Sequence, residues 1–93
     1  MTEEEAVEIP IDGVLDLHHF HPREVKLLIP AYLAECRSRG ILQVRIIHGK
    51  GTGALKRTVE ALLARQPGIV AVSPADENAG GWGATLVTLK PET

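Results

Sequence analysis

Two short histidine-containing segments carry the residue types best suited to chemistry. The first, Leu15-Asp16-Leu17-His18, places a carboxylate two residues before an imidazole. Residues two apart in a strand share a face, so Asp16 can orient His18 for acid–base catalysis near neutral pH. The alternative is a solvated strand end that carries a local hydrogen bond, and the pair alone does not decide between the two.

The second segment is a glycine-rich loop that leads into a predicted helix, His48-Gly49-Lys50-Gly51-Thr52-Gly53. The first N–H groups of a helix have no partner within it and form an anion-binding site. Lys56 and Arg57 occupy the first turns, where cations oppose the helix dipole. We therefore predict that Gly49, Lys50, Gly51, Thr52, Gly53, Lys56 and Arg57 hold a phosphate. That the glycines merely allow tight turns stays open.

A third stretch, Asn78-Ala79-Gly80-Gly81-Trp82-Gly83-Ala84-Thr85, places one aromatic residue among glycines. On an exposed loop Trp82 can stack on a nucleic-acid base, which contributes about 1–3 kcal/mol per base. The alternative is that it folds back onto the sheet. Both interpretations remain open.

Metal chemistry has little support from the residues. Strand parity sends His18 and His19 to opposite faces, and His21 precedes a helix, so a zinc site is disfavoured. A two-metal site needs several carboxylates, and only Asp16, with Asp12, is near. No cofactor is firmly implied, and a requirement for a divalent cation such as Mg²⁺ or Mn²⁺ is left open.

The elements that must position these segments follow from hydrophobic periodicity and from proline and glycine. Strands are predicted at residues 11–17, 41–47, 69–72 and 84–89, and helices at residues 22–39 and 54–66. Right-handed crossovers make the first three strands parallel, and the last is antiparallel. Both histidine segments then emerge at the C-terminal edge of the sheet, where ligands of open α/β sheets bind.

The second predicted strand also indicates how the layers are arranged. Val44 and Ile46 face one way, while Gln43 and Arg45 face the other. A strand with one polar face argues for a sheet covered by helices on one side only. We predict a two-layer α/β sandwich with the order βαβαββ, in which Gln43 and Arg45 are exposed.

Length and composition indicate one domain over residues 9–90, preceded by an acidic, disordered tail over residues 1–8. The chain has 93 residues, and from residue 9 to residue 90 ten Lys and Arg outnumber seven Asp and Glu. This mildly basic balance is compatible with phosphate binding. Cys36 stands alone, which excludes an internal disulfide. The acidic start is not a secretory signal and no apolar run approaches 20 residues, so we expect a cytoplasmic protein away from membranes. We also expect it to be a monomer.

Together these segments resemble the small MutS-related (Smr) domain family. Its Leu-Asp-x-His strand end is matched by residues 15–18, its His-Gly-x-Gly loop by residues 48–51, and its Gly-Gly-x-Gly-Ala-Thr run by residues 80–85. The match covers about residues 12–90. One departure is His19, because the family usually has glycine directly after the first histidine.

The resemblance implies a fold like the C-terminal domain of translation initiation factor 3, with a four-stranded mixed sheet and two helices on one face. It also implies DNA nicking or endonucleolytic RNA cleavage, in a protein of the stand-alone bacterial kind. Our first hypothesis is an endonuclease in which Asp16 orients His18, while His18 and His48 supply acid–base function. The second is a non-catalytic adaptor that binds nucleic acid or ribosomes through the same basic edge.

Overall fold

The elements alternate in the predicted order. The computed structural model describes residues 9–18, 20–49, 53–75 and 83–92. In chain order the elements are β1 (Val14–Asp16), α1 (Pro22–Ser38), β2 (Gln43–Ile47), α2 (Ala54–Arg65), β3 (Ile69–Pro74) and β4 (Ala84–Leu89). The βαβαββ prediction is therefore confirmed, and boundaries differ mostly by one or two residues.

The first strand is shorter than predicted, because the N–H groups at its start are hydrogen-bonded to side chains. The N–H of Val14 donates to Asp12 Oδ1 at 3.0 Å, which forms a local turn. The N–H of Gly13 donates to the hydroxyl of Tyr32 at 3.1 Å, and that hydroxyl donates to the Val14 carbonyl at 3.2 Å. The prediction that the strand begins at Ile11 is wrong for this reason.

Helix α1 begins at a capping box. The ring of His21 accepts the N–H of Arg23 at 3.3 Å, and the carboxylate of Glu24 accepts the N–H of His21 at 2.6 Å. These two bonds satisfy groups that a helix N-terminus leaves unpaired. Pro30 lies inside the helix without ending it.

The sheet has the order β1-β2-β4-β3. β1 pairs in parallel with β2, while β4 pairs antiparallel with both β2 and β3. The first three strands are therefore parallel and the last is antiparallel, as predicted. The insertion of β4 between β2 and β3 is a position that the β3–β4 hairpin alone does not determine.

One hydrophobic core lies between the sheet and both helices. It contains residues of β1, β2 and β4 together with Val25, Ile29 and Cys36 of α1 and Val59 and Leu63 of α2. On the other face, Gln43 is exposed as predicted, whereas Arg45 is half-buried, so the prediction of an exposed Arg45 is wrong. The helices thus cover one face and the two-layer prediction is confirmed. Within the described part of the chain, no helix is long and apolar enough to cross a membrane.

Candidate functional site

The carboxylate of Asp16 accepts hydrogen bonds from both the backbone and the ring of His18. Its Oδ1 accepts from Nδ1 of His18 at 2.6 Å and from the N–H of His18 at 3.0 Å. The side chains of His18 and Asp16 are 54% and 50% exposed. An ionised carboxylate only accepts, so Nδ1 carries a hydrogen and Nε2 carries the lone pair of the neutral ring. The imidazole therefore presents a basic nitrogen on the side away from Asp16.

That nitrogen lies against Gly49, in the glycine-rich loop. A Cβ built on Gly49 would lie 3.2 Å from Nε2 of His18, and the φ of Gly49 is +82°. Positive φ is costly for residues with a Cβ, so glycine fits this position for two reasons. β1 and β2 are neighbours, with Asp16 opposite Ile47, and their C-terminal ends emerge together. The two histidine segments converge as the sequence predicted.

His48 has a different environment from the one expected for an acid–base group. It is 6% exposed, and both ring nitrogens are hydrogen-bonded. Nδ1 contacts the Gly49 carbonyl at 3.1 Å, and Nε2 contacts the Thr85 hydroxyl at 2.9 Å. Since a carbonyl oxygen only accepts, Nδ1 donates, and Nε2 of the neutral ring accepts from Thr85. This geometry suits a residue that positions the loop more than one that meets a substrate.

The start of β4 completes the support of the loop. The carbonyl of Gly83 accepts the N–H of His48 at 2.8 Å and the N–H of Gly49 at 2.9 Å. Gly83 and Thr85 were not predicted as site residues. The signal that could have found them is the Gly-Ala-Thr run at residues 83–85, which leads into the last strand.

A cleft of about 280 Å³ lies beside this loop and opens at the first turn of α2. Its lining residues are Pro22, His48, Gly49, Gly53, Ala54, Leu55, Lys56 and Thr58. Gly53 has a φ of +89° and begins the helix, where no side chain of the described residues caps it. The first turn of α2 contains no acid. The positive end of the α2 dipole therefore lies beside a space that an anion could fill.

The predicted cations take different places at this helix. Lys56 is half-buried and lines the cleft, whereas Arg57 is exposed. A guanidinium nitrogen of Arg57 would lie 3.4 Å from a Cβ built on Gly53, so this arginine reaches back over the helix start. Both residues are close to the predicted phosphate position.

Several predicted site residues lie outside the described residues: Lys50, Gly51, Thr52 and Trp82, together with His19. Their roles stay predictions. Among the residues that are described, no group of three His, Cys, Asp or Glu side chains could hold a metal ion.

Cys36 is fully buried in the core. Burial raises the pKa of its thiol, which disfavours the thiolate that a nucleophile requires. Its place in the packed interior explains this residue without any chemical role.

Known proteins resemble this chain in both sequence and structure. Residues 15–90 match the family model of the Smr domain. The chain is 41% identical over 76 residues to Endonuclease MutS2 from Halalkalibacterium halodurans, a match over 82% of this chain and 10% of that protein. The chain thus spans about a tenth of the length of this curated relative.

Two crystal structures show the likeness in three dimensions. The Smr domain of Thermus thermophilus MutS2 superposes with a TM-score of 0.80 at 34% identity, over 86% of this chain and 100% of that one. YdaL, a stand-alone small MutS-related protein from Escherichia coli, superposes with a TM-score of 0.77 at 26% identity, over 89% of this chain and 68% of that one.

Proposed function

Because this chain belongs to the Smr domain family, we propose that it binds nucleic acid and cleaves the phosphodiester backbone beside His18. The observation that carries the proposal is the 2.6 Å bond between Asp16 and Nδ1 of His18, which leaves Nε2 directed at the glycine-rich loop. The name of the MutS2 relative, an endonuclease, supports this class of reaction.

His18 acts as the general base. Its Nε2 takes the proton of the attacking hydroxyl, while Asp16 holds the ring in the required tautomer and stabilises the imidazolium that forms. RNA suits a site with one His–Asp pair better than DNA does, because the 2′-OH of RNA is a nucleophile already attached to the substrate. That oxygen bonds to the neighbouring phosphorus and the P–O5′ bond breaks. The products are a 2′,3′-cyclic phosphate and a 5′-hydroxyl whose proton comes from solvent.

The cleft at the first turn of α2 holds the phosphate. Backbone N–H groups of the turn and the cations Lys56 and Arg57 attract the anion, and Lys50 in the loop is predicted to add to them. His48 acts through Gly49, since it bonds the Gly49 carbonyl and is itself held by Thr85. It is thus a positioning residue in this proposal, a revision of the acid–base role first expected.

The described donor set does not fit a dedicated divalent cation. Asp16 and His18 are neighbours, but no third His, Cys, Asp or Glu among the described residues joins them. No step of the proposed reaction passes through a metal. Parallel assays with Mg²⁺, with Mn²⁺ and with EDTA test this directly.

The deciding experiment compares wild-type protein with His18→Ala and Asp16→Asn on a structured RNA and on supercoiled plasmid DNA. We expect RNA cleavage that leaves 2′,3′-cyclic phosphate ends, and a loss of rate of about 10²–10⁴-fold in both variants. Binding measured by fluorescence anisotropy should change little. His21→Asn is the matched control, because it removes a nearby exposed imidazole while asparagine still caps α1. A His18→Ala protein that cleaves at the wild-type rate would exclude His18 as the base.

The second candidate is a non-catalytic adaptor that binds nucleic acid or ribosomes. It is favoured by the burial of His48, because only one of the two imidazoles expected to transfer protons, that of His18, faces solvent. Tight binding of RNA by the wild-type protein, with no cleavage of RNA or DNA in any metal condition, would support this candidate over the nuclease.

A further inference from the structure

A second cleft runs between the two helices and adjoins the first. It has a volume of about 320 Å³ and is lined by Lys26 of α1 and by Thr58, Ala61, Leu62 and Arg65 of α2. Thr58 lines both clefts, so the two meet beside the first turn of α2. Both helices follow parallel strands and therefore run in the same direction. The inter-helix cleft thus leads from the candidate site toward the C-terminal end of α2.

The charged residues that line the two clefts are all basic. Lys26 and Arg65 lie in the inter-helix cleft, and no acidic residue is among the described residues that line either cleft. The acids of α1 are engaged elsewhere, since Glu24 bonds the N–H of His21 and Glu35 bonds Arg39. A polyanion could therefore follow the cleft without meeting a carboxylate.

The length of this path matches a short stretch of single-stranded nucleic acid. From Ala54 to Arg65 the helix rises about 16 Å. Stacked nucleotides rise about 3.4 Å each along one strand, so this path accommodates about five of them. Ala61 and Leu62 offer an apolar floor for sugars or bases, while Lys26 and Arg65 are placed to meet phosphates.

We propose that the inter-helix cleft binds the backbone of the nucleic-acid strand whose reacting phosphate lies beside His18. The proposal rests on the proposed function and extends it. Substrate is held over several nucleotides on one side of the reacting bond, along the groove between α1 and α2. The shared chemistry is a single-stranded phosphodiester chain, and RNA and DNA oligonucleotides form separate arms of the test.

The sharpest test uses two alanines of α2 that are three residues apart. Ala61 and Ala64 are both exposed, but only Ala61 lines the inter-helix cleft. Ala61→Glu should weaken binding of an oligonucleotide of about ten residues by tenfold or more, because a carboxylate then faces the phosphates. It should leave the weaker binding of an oligonucleotide of about three residues unchanged. Ala64→Glu, which adds the same charge outside the cleft, should leave both affinities near wild type.

A salt titration tests the cations themselves. In Lys26→Gln/Arg65→Gln the slope of log affinity against log salt should fall by about 1.4, since each phosphate contact of a single strand contributes about 0.7. Between about 50 and 200 mM salt, wild-type affinity for the long oligonucleotide should then fall about sevenfold more than that of the variant. Arg39→Gln/Lys90→Gln removes the same charge from exposed residues outside the cleft and should keep the wild-type slope. Thermal melts followed by circular dichroism serve as the control that each variant is folded.

The outcomes separate this inference from the function on which it rests. If the wild-type protein binds the long oligonucleotide but Ala61→Glu and Ala64→Glu behave alike, the cleft is not the path, although the proposed function stands. The same holds if the short and long oligonucleotides lose affinity equally. If the wild-type protein binds neither RNA nor DNA, the proposed function fails and this inference fails with it.

Discussion

Gly49 lies next to both histidines that the sequence singled out, and different groups of this residue face each of them. Its carbonyl accepts Nδ1–H of His48, while its Cα lies beside Nε2 of His18. Its N–H is bonded to the carbonyl of Gly83. The residue therefore connects an interior imidazole to an exposed one, and the absence of a side chain is what permits the close approach.

Replacing Gly49 by alanine should impair cleavage beyond its effect on stability. The positive φ should lower the free energy of unfolding by about 1–2 kcal/mol in urea denaturation. The new Cβ, 3.2 Å from Nε2 of His18, should also displace the ring and reduce the cleavage rate at saturating RNA. Gly40→Ala is the matched control, since Gly40 has a φ of +76° with nothing within 4 Å of its Cβ position. Equal cleavage by the two variants would show that the contact with His18 does not matter.

At the scale of elements, Tyr32 joins α1 to the start of β1. Its hydroxyl accepts the N–H of Gly13 and donates to the carbonyl of Val14. Burial, followed by the nearby Cys36, raises the pKa of Tyr32 above its usual value. Since β1 carries Asp16 two residues beyond Val14, this bridge helps to set where that strand begins.

Tyr32→Phe should lower the free energy of unfolding by about 1–3 kcal/mol near pH 7, because the Gly13 N–H loses its partner in the interior. The raised pKa means that the folded state holds the phenolic proton more tightly. The resulting stability is fully present below about pH 10, the unfolded pKa, and is lost as pH rises through the folded pKa. Between pH 7 and about pH 10.5, the free energy of unfolding from denaturation curves should fall more for wild type than for Tyr32→Phe. An equal fall in the two proteins would contradict this role of Tyr32.

At the scale of the whole molecule, the most deeply buried part of the sheet is its middle, and we expect stability to be greatest there. β2 and β4 are the inner strands, and Val44, Ile46, Val87 and Leu89 on them are at most 2% exposed. β3 forms an edge, where Val70 and Val72 are 64% and 44% exposed. The loop that carries His48 and Gly49 follows β2 and is bonded to Gly83 just before β4, so the candidate site is attached to the best-packed strands.

Hydrogen exchange followed by NMR should report this gradient. We expect the slowest backbone amides in β2 and β4, which require global opening, and faster exchange in β3, which opens locally. The N–H of Gly49 should exchange with solvent about as slowly as the amides of β4, because it donates to the Gly83 carbonyl just before that strand. Uniform protection across the four strands, or an unprotected Gly49, would show that the site is not supported in this way.

Much of this architecture is determined by the sequence, because it depends on local periodicity. Alternation in β2 and the apolar stripes of both helices predict the elements and the single covered face. The two-residue spacing of Asp16 and His18 predicts their shared side, and the handedness of strand crossovers predicts that both histidine segments reach one edge. The bond of 2.6 Å between Asp16 and His18 agrees with that expectation.

The separate environments of the two histidines were decided only by tertiary structure. Both histidines follow a strand and precede a turn, so the residues next to them in the sequence predict the same environment for each. His48 is buried because β4 inserts beside β2, with Ala84 opposite Ile47, and this brings Thr85 to its ring from 37 residues away. Pairing of strands that are distant in the chain depends on the packing of the whole sheet, which no short window of sequence contains. For the same reason the Tyr32–Gly13 bond and the late start of β1 emerge only in the folded molecule.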